Sequence, residues 1–312
     1  MSEPYSIVPS LNIDVSEFFN QIWQLILKTL YDSLYESLEK SFDDLFSILN
    51  YEVGKAAANI KDGPMALGGG TAFETVKKIA ENVCIPIAAA FITVIFCWEL
   101  IHLVQESNSM NNVKPDKIMI VLLKFGLCLL VCAKSFDIII GFYDVGAWAA
   151  TTLGKQSSSD LTKFTYTFEL SSVLNPAPKV YDLGMLMTLC GYKIMLFISK
   201  IGIAICGVIV YIRVMIWFLE ILIYAAAAPI PYSTWINKEW SQVGMNYTRK
   251  MLALAFEGFF MLLLFAIYGG VVAGISYGDF MQSMGMIIGC GFALAIMMFK
   301  TGNISASIFN AH

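Results

Sequence analysis

Charge is what this 312-residue chain has least of. Asp, Glu, Lys and Arg make up 14% of it, where a soluble domain carries roughly 25%. That deficit leaves too little polar surface for a water-exposed fold of this length. Basic runs are also missing. With a net charge of −4 and no interleaving of basic and aromatic residues, direct nucleic-acid binding has no electrostatic footprint. Histidine occurs only as His102 and His312, too few and too far apart for an ordinary histidine metal site. Glu99-x-x-His102 is half of a di-iron carboxylate motif, and the second Glu-x-x-His is absent. The seven cysteines, at 84, 97, 128, 132, 190, 206 and 290, all lie in apolar stretches, so they form no disulfide framework and act as small hydrophobes. The start, Met1 to Tyr5, lacks the basic and apolar regions of a cleavable signal, so insertion is expected to rely on the first true span. No internal repeat, nucleotide-binding loop, nucleophile elbow or intramembrane protease signature occurs. A non-enzymatic chain without a cofactor is the expectation.

Hydrophobic residues, by contrast, make up 57% of the chain, and mean hydropathy is +0.68. They fall in runs longer than about 18 residues, the signature of transmembrane helices. The expected fold is therefore all-α: a polytopic helical membrane protein of about five spans, six in the alternative reading. An amphipathic N-terminal region, 1–80, precedes a membrane domain at 81–300 and a short tail at 301–312. Residues 1–13 look irregular. From Asp14 to Glu52, apolar residues such as Phe18, Ile22, Ile26, Leu30, Leu34 and Leu38 recur at steps of three or four. Asp14 with Glu17 suits a cap. This stripe is too charged to cross a bilayer. It suits a helix packed on its own subunit or lying at the interface, or one that meets a partner. A glycine-rich joint, 63–70, follows, and Thr71 with Glu74 makes a second capping signature.

The spans are expected at about 83–105, 117–136, 183–228, 251–275 and 281–299. Apolar character continues from 117 to about 150, more than one crossing of about 30 Å needs. Residues 106–116 and 154–182 read as polar loops. The 183–228 run is either one very long helix or two spans joined near Gly202–Gly207, and this choice separates five spans from six. Lys238, Arg249, Lys250 and Lys300 flank the last two spans on one side, while their connecting loop carries only Asp279. The positive-inside rule therefore puts the 232–250 loop and the C-terminus in the cytoplasm. Lysines 77 and 78 favour an inside N-terminal region, and Lys200 and Arg213 oppose the hairpin that this requires.

Ionisable groups inside spans face partners or watery cavities. The set is Glu99, Lys124, Lys193, Lys200, Arg213, Glu220 and Glu257. Of these, Arg213, Glu220, Glu257 and Lys124 are candidate intramembrane or intersubunit polar sites. They would serve a small-solute or ion transporter as proton or ion groups, or simply pair across helices.

One stretch goes beyond generic membrane sequence. Arg213-Val-Met-Ile-Trp-Phe-Leu-Glu220 leads to Ala-Ala-Ala-Ala-Pro229-Ile-Pro231-Tyr232. Trp235, Glu239-Trp240, Asn246 and Arg249-Lys250 come next, and then Ala255-Phe-Glu257-Gly-Phe-Phe260. With the ending Phe299-Lys-Thr-Gly302, this resembles TrbL-like channel components of conjugative type IV secretion systems, in the form found in mobile elements of Gram-positive bacteria. The motifs cover roughly the last 100 residues, and the rest matches in layout alone. The resemblance implies a non-catalytic subunit of the plasma-membrane complex that exports single-stranded DNA with its relaxase. It further implies about five spans, an outside N-terminal region, a cytoplasmic C-terminus and a homo-oligomeric ring. The secretion ATPase and coupling protein would be neighbours, the lipid bilayer the medium, and the DNA–relaxase a transient contact. A membrane scaffold or immunity protein of a mobile element is the remaining alternative.

Overall fold

The computed structural model describes residues 15–63, 65, 70–106, 115–156, 163–164, 175–275 and 280–311. The irregular start, Asp14, Gly68 and Gly69, most of the 106–116 and 154–182 loops, Asp279 and His312 lie outside the described residues. Every regular element among those described is helical.

The amphipathic stripe forms two helices rather than one, α1 (Val15–Asp43) and α2 (Ser47–Asp62). A turn separates them: the Leu45 N–H donates to the Phe42 carbonyl at 2.9 Å and the Ser47 N–H to the Asp44 carbonyl at 3.1 Å. Successive residues on a helix point about 100° apart, and the turn lets Leu45 and Phe46 both be buried. Next, α3 (Thr71–Ile79) opens on Gly70, whose φ of +84° suits a residue without Cβ. Thr71 is therefore the first helical residue and not the expected cap. A π-turn, Ala80–Cys84, joins α3 to α4 (Ile85–Glu106) in one continuous 36-residue helix. Pro86 follows at once, and the wider turn accommodates a residue that can neither donate a backbone bond nor clear the preceding carbonyl.

The long apolar stretch after 115 is a bent pair, α5 (Pro115–Ala133) and α6 (Ser135–Gln156), meeting at 64°. At the bend the buried Ser135 hydroxyl donates to the Cys132 carbonyl at 2.8 Å, competing with the helical ladder. The 183–228 run is one continuous helix, α7 (Leu183–Ala227). Asp182 caps it, accepting from the Leu183 N–H at 2.8 Å. Its 45 residues extend about 68 Å, more than twice a hydrocarbon core of about 30 Å. The hairpin on which six spans depended is absent. Gly207 sits in mid-helix for another reason: a Cβ there would lie 3.2 Å from the Leu49 Cα, so it lets α2 approach.

Pro229 ends α7 and starts the short α8 (Pro229–Tyr232), followed by a 3-10 turn, Ser233–Ile236. The chain finishes with α9 (Ser241–Ala273) and α10 (Phe280–Ile308). Among the described residues, four helical stretches are long and apolar enough to cross a membrane, and five if the bent pair counts as one crossing.

Packing is built around α7, which lies along α1, α2 and α10, while α9 runs along α6 and α10. The α4 and α5 helices pair and rest against the Pro229–Ile236 segment. Leu49, Val53, Ala56 and Ile60 of α2 join the same core as α7 and α9. Leu27, Tyr31 and Leu38 of α1 pack on Leu186 and Leu189 at the start of α7. Two side-chain amides imitate backbone pairing to anchor loop residues. Gln24 exchanges hydrogen bonds with the Tyr181 main chain, and Asn50 does the same with Phe164.

Candidate functional site

Burying a charge is tolerable only when a partner and further hydrogen bonds replace its water. Arg213 on α7 meets this requirement inside its own chain: its Nη2 donates to Glu257 Oε1 on α9. The two side chains are 8% and 2% exposed. On α10, the Thr301 hydroxyl lies 3.3 Å from Glu257 Oε1 and 2.7 Å from the Met298 carbonyl. Beside it, a Cβ on Gly302 would sit 3.1 Å from Glu257 Oε1 and 3.3 Å from Arg213 Nη2. Gly302 is thus small where three helices converge on one ion pair. Arg213 Nη1 is buried and has no hydrogen-bond partner among the described residues.

The register around this pair is antiparallel. Trp217 Nε1 donates to the Leu254 carbonyl at 2.9 Å, and the Tyr247 hydroxyl donates to the Tyr224 carbonyl. Seven residues from Arg213 stands Glu220, and seven from Glu257 stands Lys250. Two helical turns keep each on its partner's face. All four charges line one cavity of about 290 Å³, together with Gly302 and Asn303 of α10. Trp217 packs against Gly258 of α9, where a Cβ would come 2.6 Å from its ring.

The proline loop forms a second constellation. Cys128 Sγ lies 3.2 Å from the Tyr232 carbonyl and Cys132 Sγ 3.4 Å from the Pro229 carbonyl, so these thiols cap the broken helix end. Asn237 is the hub of the turn. Its Oδ1 accepts from the Glu239 and Trp240 N–H groups at 2.8 and 3.1 Å, and its Nδ2 donates to Glu99 Oε2 at 3.0 Å. Glu99 therefore holds a loop. The Trp235 indole lies against Gly244, and its N–H has no partner among the described residues. The Glu239 and Trp240 side chains are exposed, and Trp240 lines a small cavity with Trp98. Asn246 accepts from Gln242 at 2.9 Å on the outer face of α9, and Arg249 is half-buried nearby. Pro231 belongs to the short helix itself.

The candidates thus divide. Arg213, Glu220, Glu257 and Lys250 come together, whereas Lys124 lines a different cavity, of about 340 Å³, with Cys128, Trp235 and Met245. Lys193 reaches Ser37 of α1 at 2.6 Å, and Lys200 reaches Asp44 in the turn after α1 at 3.8 Å. Sequence reasoning passed over Asn237, and it quoted Trp217, Thr301 and Gly302 within the family-like stretches without giving them a role. The one signal available was glycine beside a polar side chain in an otherwise apolar stretch, in Glu257-Gly258 and Thr301-Gly302.

Residues 49–229 match the family described as TrbL/VirB6 plasmid conjugal transfer like protein. No curated protein and no solved structure matches the chain.

Proposed function

Because the chain belongs to the TrbL/VirB6 plasmid conjugal transfer family, and so is a multi-pass membrane component of conjugal transfer by type IV secretion, we propose that it is a non-catalytic channel or platform subunit. In this reading several copies surround the route by which single-stranded DNA and its relaxase leave the donor. The secretion ATPase and coupling protein work beside it. The C-terminal end faces the cytoplasm, and the N-terminal region lies on the other side.

The observation that carries the multi-copy reading is the contrast between interior and surface. Trp217, Phe218, Met261, Leu262, Phe265 and Met298 are at most 1% exposed and fill the middle of the bundle. A close-packed interior gives a nucleic-acid strand no way through one copy. Meanwhile Phe18, Phe19, Trp23 and Leu25 on α1 are uncovered. A route therefore has to form between copies, or between copies and other subunits. The low positive charge of the chain fits a scaffold around the route better than a DNA-binding wall.

An in-frame deletion in a donor, complemented in trans, tests this by counting transconjugants. Loss of transfer restored by the intact gene is the expected result. An unchanged transfer frequency would overturn the reading.

A further inference from the structure

The Arg213–Glu257 pair consumes one cation and one carboxylate of the four that line its cavity. What remains is a buried, unpartnered N–H at Arg213 Nη1, the ammonium of Lys250 and the carboxylate of Glu220. Neither Lys250 nor Glu220 makes a hydrogen bond or ion pair within the described residues. The unused groups thus ask for one negative and one positive charge, close together on a single ligand.

Position narrows the choice. On α10 the apolar stretch ends at Phe299, Lys300 follows, and Gly302 and Asn303 line the cavity. On α9 the apolar stretch begins just after Lys250. The cavity therefore lies where two spans change from charged to apolar, which is headgroup level in a bilayer. Arg213 stands about two-thirds of the way along α7, and in a helix of about 68 Å that position need not fall at the bilayer centre. Two of the lining residues are exposed apolar side chains. Ile216 is 39% exposed and Phe299 50%, and Ile212, Leu219 and Ile223 continue the outward stripe along α7. At about 290 Å³ the space is at the small end of ligand sites, which start near 300 Å³. It would hold a headgroup and leave acyl chains outside.

We propose that this cavity binds the headgroup of a membrane phospholipid that carries a phosphodiester and a primary ammonium group, as phosphatidylethanolamine does. The phosphate takes the free Arg213 N–H and Lys250, and the ammonium donates to Glu220. Charge-assisted hydrogen bonds of this kind are the strong ones. A choline headgroup has no N–H for Glu220, and a glycerol headgroup brings no cation. A free phosphate dianion would oppose two carboxylates. The inference rests on the membrane fold alone and does not depend on a role in DNA export.

The test uses the full chain in nanodiscs containing equal shares of phosphatidylethanolamine, phosphatidylcholine and phosphatidylglycerol, with retained lipid identified by native mass spectrometry. The ethanolamine lipid is expected to be retained about tenfold over the other two, equivalent to ~1.4 kcal/mol. Glu220→Gln should bring that preference close to parity, and Lys250→Gln should lower retention of both phosphatidylethanolamine and phosphatidylglycerol. Both variants leave the Arg213–Glu257 pair intact, so they should insert and fold. Equal retention of the three lipids, or a preference indifferent to both substitutions, would overturn the proposal. So would displacement of the lipid by inorganic phosphate, which would assign the site to a free anion.

Discussion

The crossing of α7, α9 and α10 and the first half of α1 are both apolar, yet they meet opposite fates. At the crossing, Trp217, Phe218, Leu262 and Met298 vanish from the surface around an ion pair. On α1, Phe18, Phe19, Ile22, Trp23, Leu25 and Ile26 stay exposed on one helix. Hydrophobicity is common to the two regions; the difference lies in what the rest of the chain offers. The crossing has glycines at 258 and 302 that let bulky or charged groups close up. The first half of α1 extends past its contacts with the start of α7 and stays uncovered by the described residues. The first region holds the chain together, and the second is the surface on which the proposed multi-copy reading rests.

The sharpest way to break the first region is Glu257→Leu, which leaves Arg213 buried without its counter-charge. A loss of about 3–5 kcal/mol is expected, with Arg213→Met/Glu257→Leu recovering most of it, since a buried pair and an apolar pair of similar volume are nearly equivalent. Monodisperse yield and thermal midpoint in detergent report both. Next comes Gly146→Ala, whose added methyl meets the Ala255 carbonyl across the α6–α9 contact. A cost of about 1–3 kcal/mol is expected by the same assay, as for other overpacked cores. Asn237→Ala removes the acceptor of two backbone N–H groups and the donor to Glu99. About 1–2 kcal/mol should be lost, and protease sensitivity of the 233–241 segment should rise. The smallest effect on stability belongs to the second region. Phe19→Ser with Trp23→Ser should shift the midpoint by less than the equivalent of about 0.5 kcal/mol, as surface changes do.

The helical class and the count of about five spans were legible because a run of apolar residues with few charges has only one structural use in lipid. Whether 183–228 turned back was not legible from charge, because Lys200 and Arg213 flanked the supposed turn without forbidding it. The contacts supply the reason: Gly207 receives α2, and Lys200 faces Asp44 in the turn between α1 and α2. The break between α1 and α2 carries neither glycine nor proline, and only tertiary burial of Leu45 and Phe46 accounts for it. Arg213 and Glu257 were each conspicuous as charges in apolar runs. Their pairing became visible only with the antiparallel register of α7 and α9, and so did the company of Glu220 and Lys250. Lys124 was equally conspicuous and belongs elsewhere, because α5 is not part of that crossing.

Transfer from a donor whose only copy carries Phe19→Ser and Trp23→Ser separates the two regions most directly, with membrane-inserted protein quantified in the same cells. If the uncovered half of α1 joins copies around a transfer route, transconjugants fall by about tenfold or more, as loss of buried aromatic anchors would require, while the inserted protein stays at its normal level. Normal transfer at a normal level of inserted protein would contradict that role for α1 and leave assembly to the lipid-facing spans.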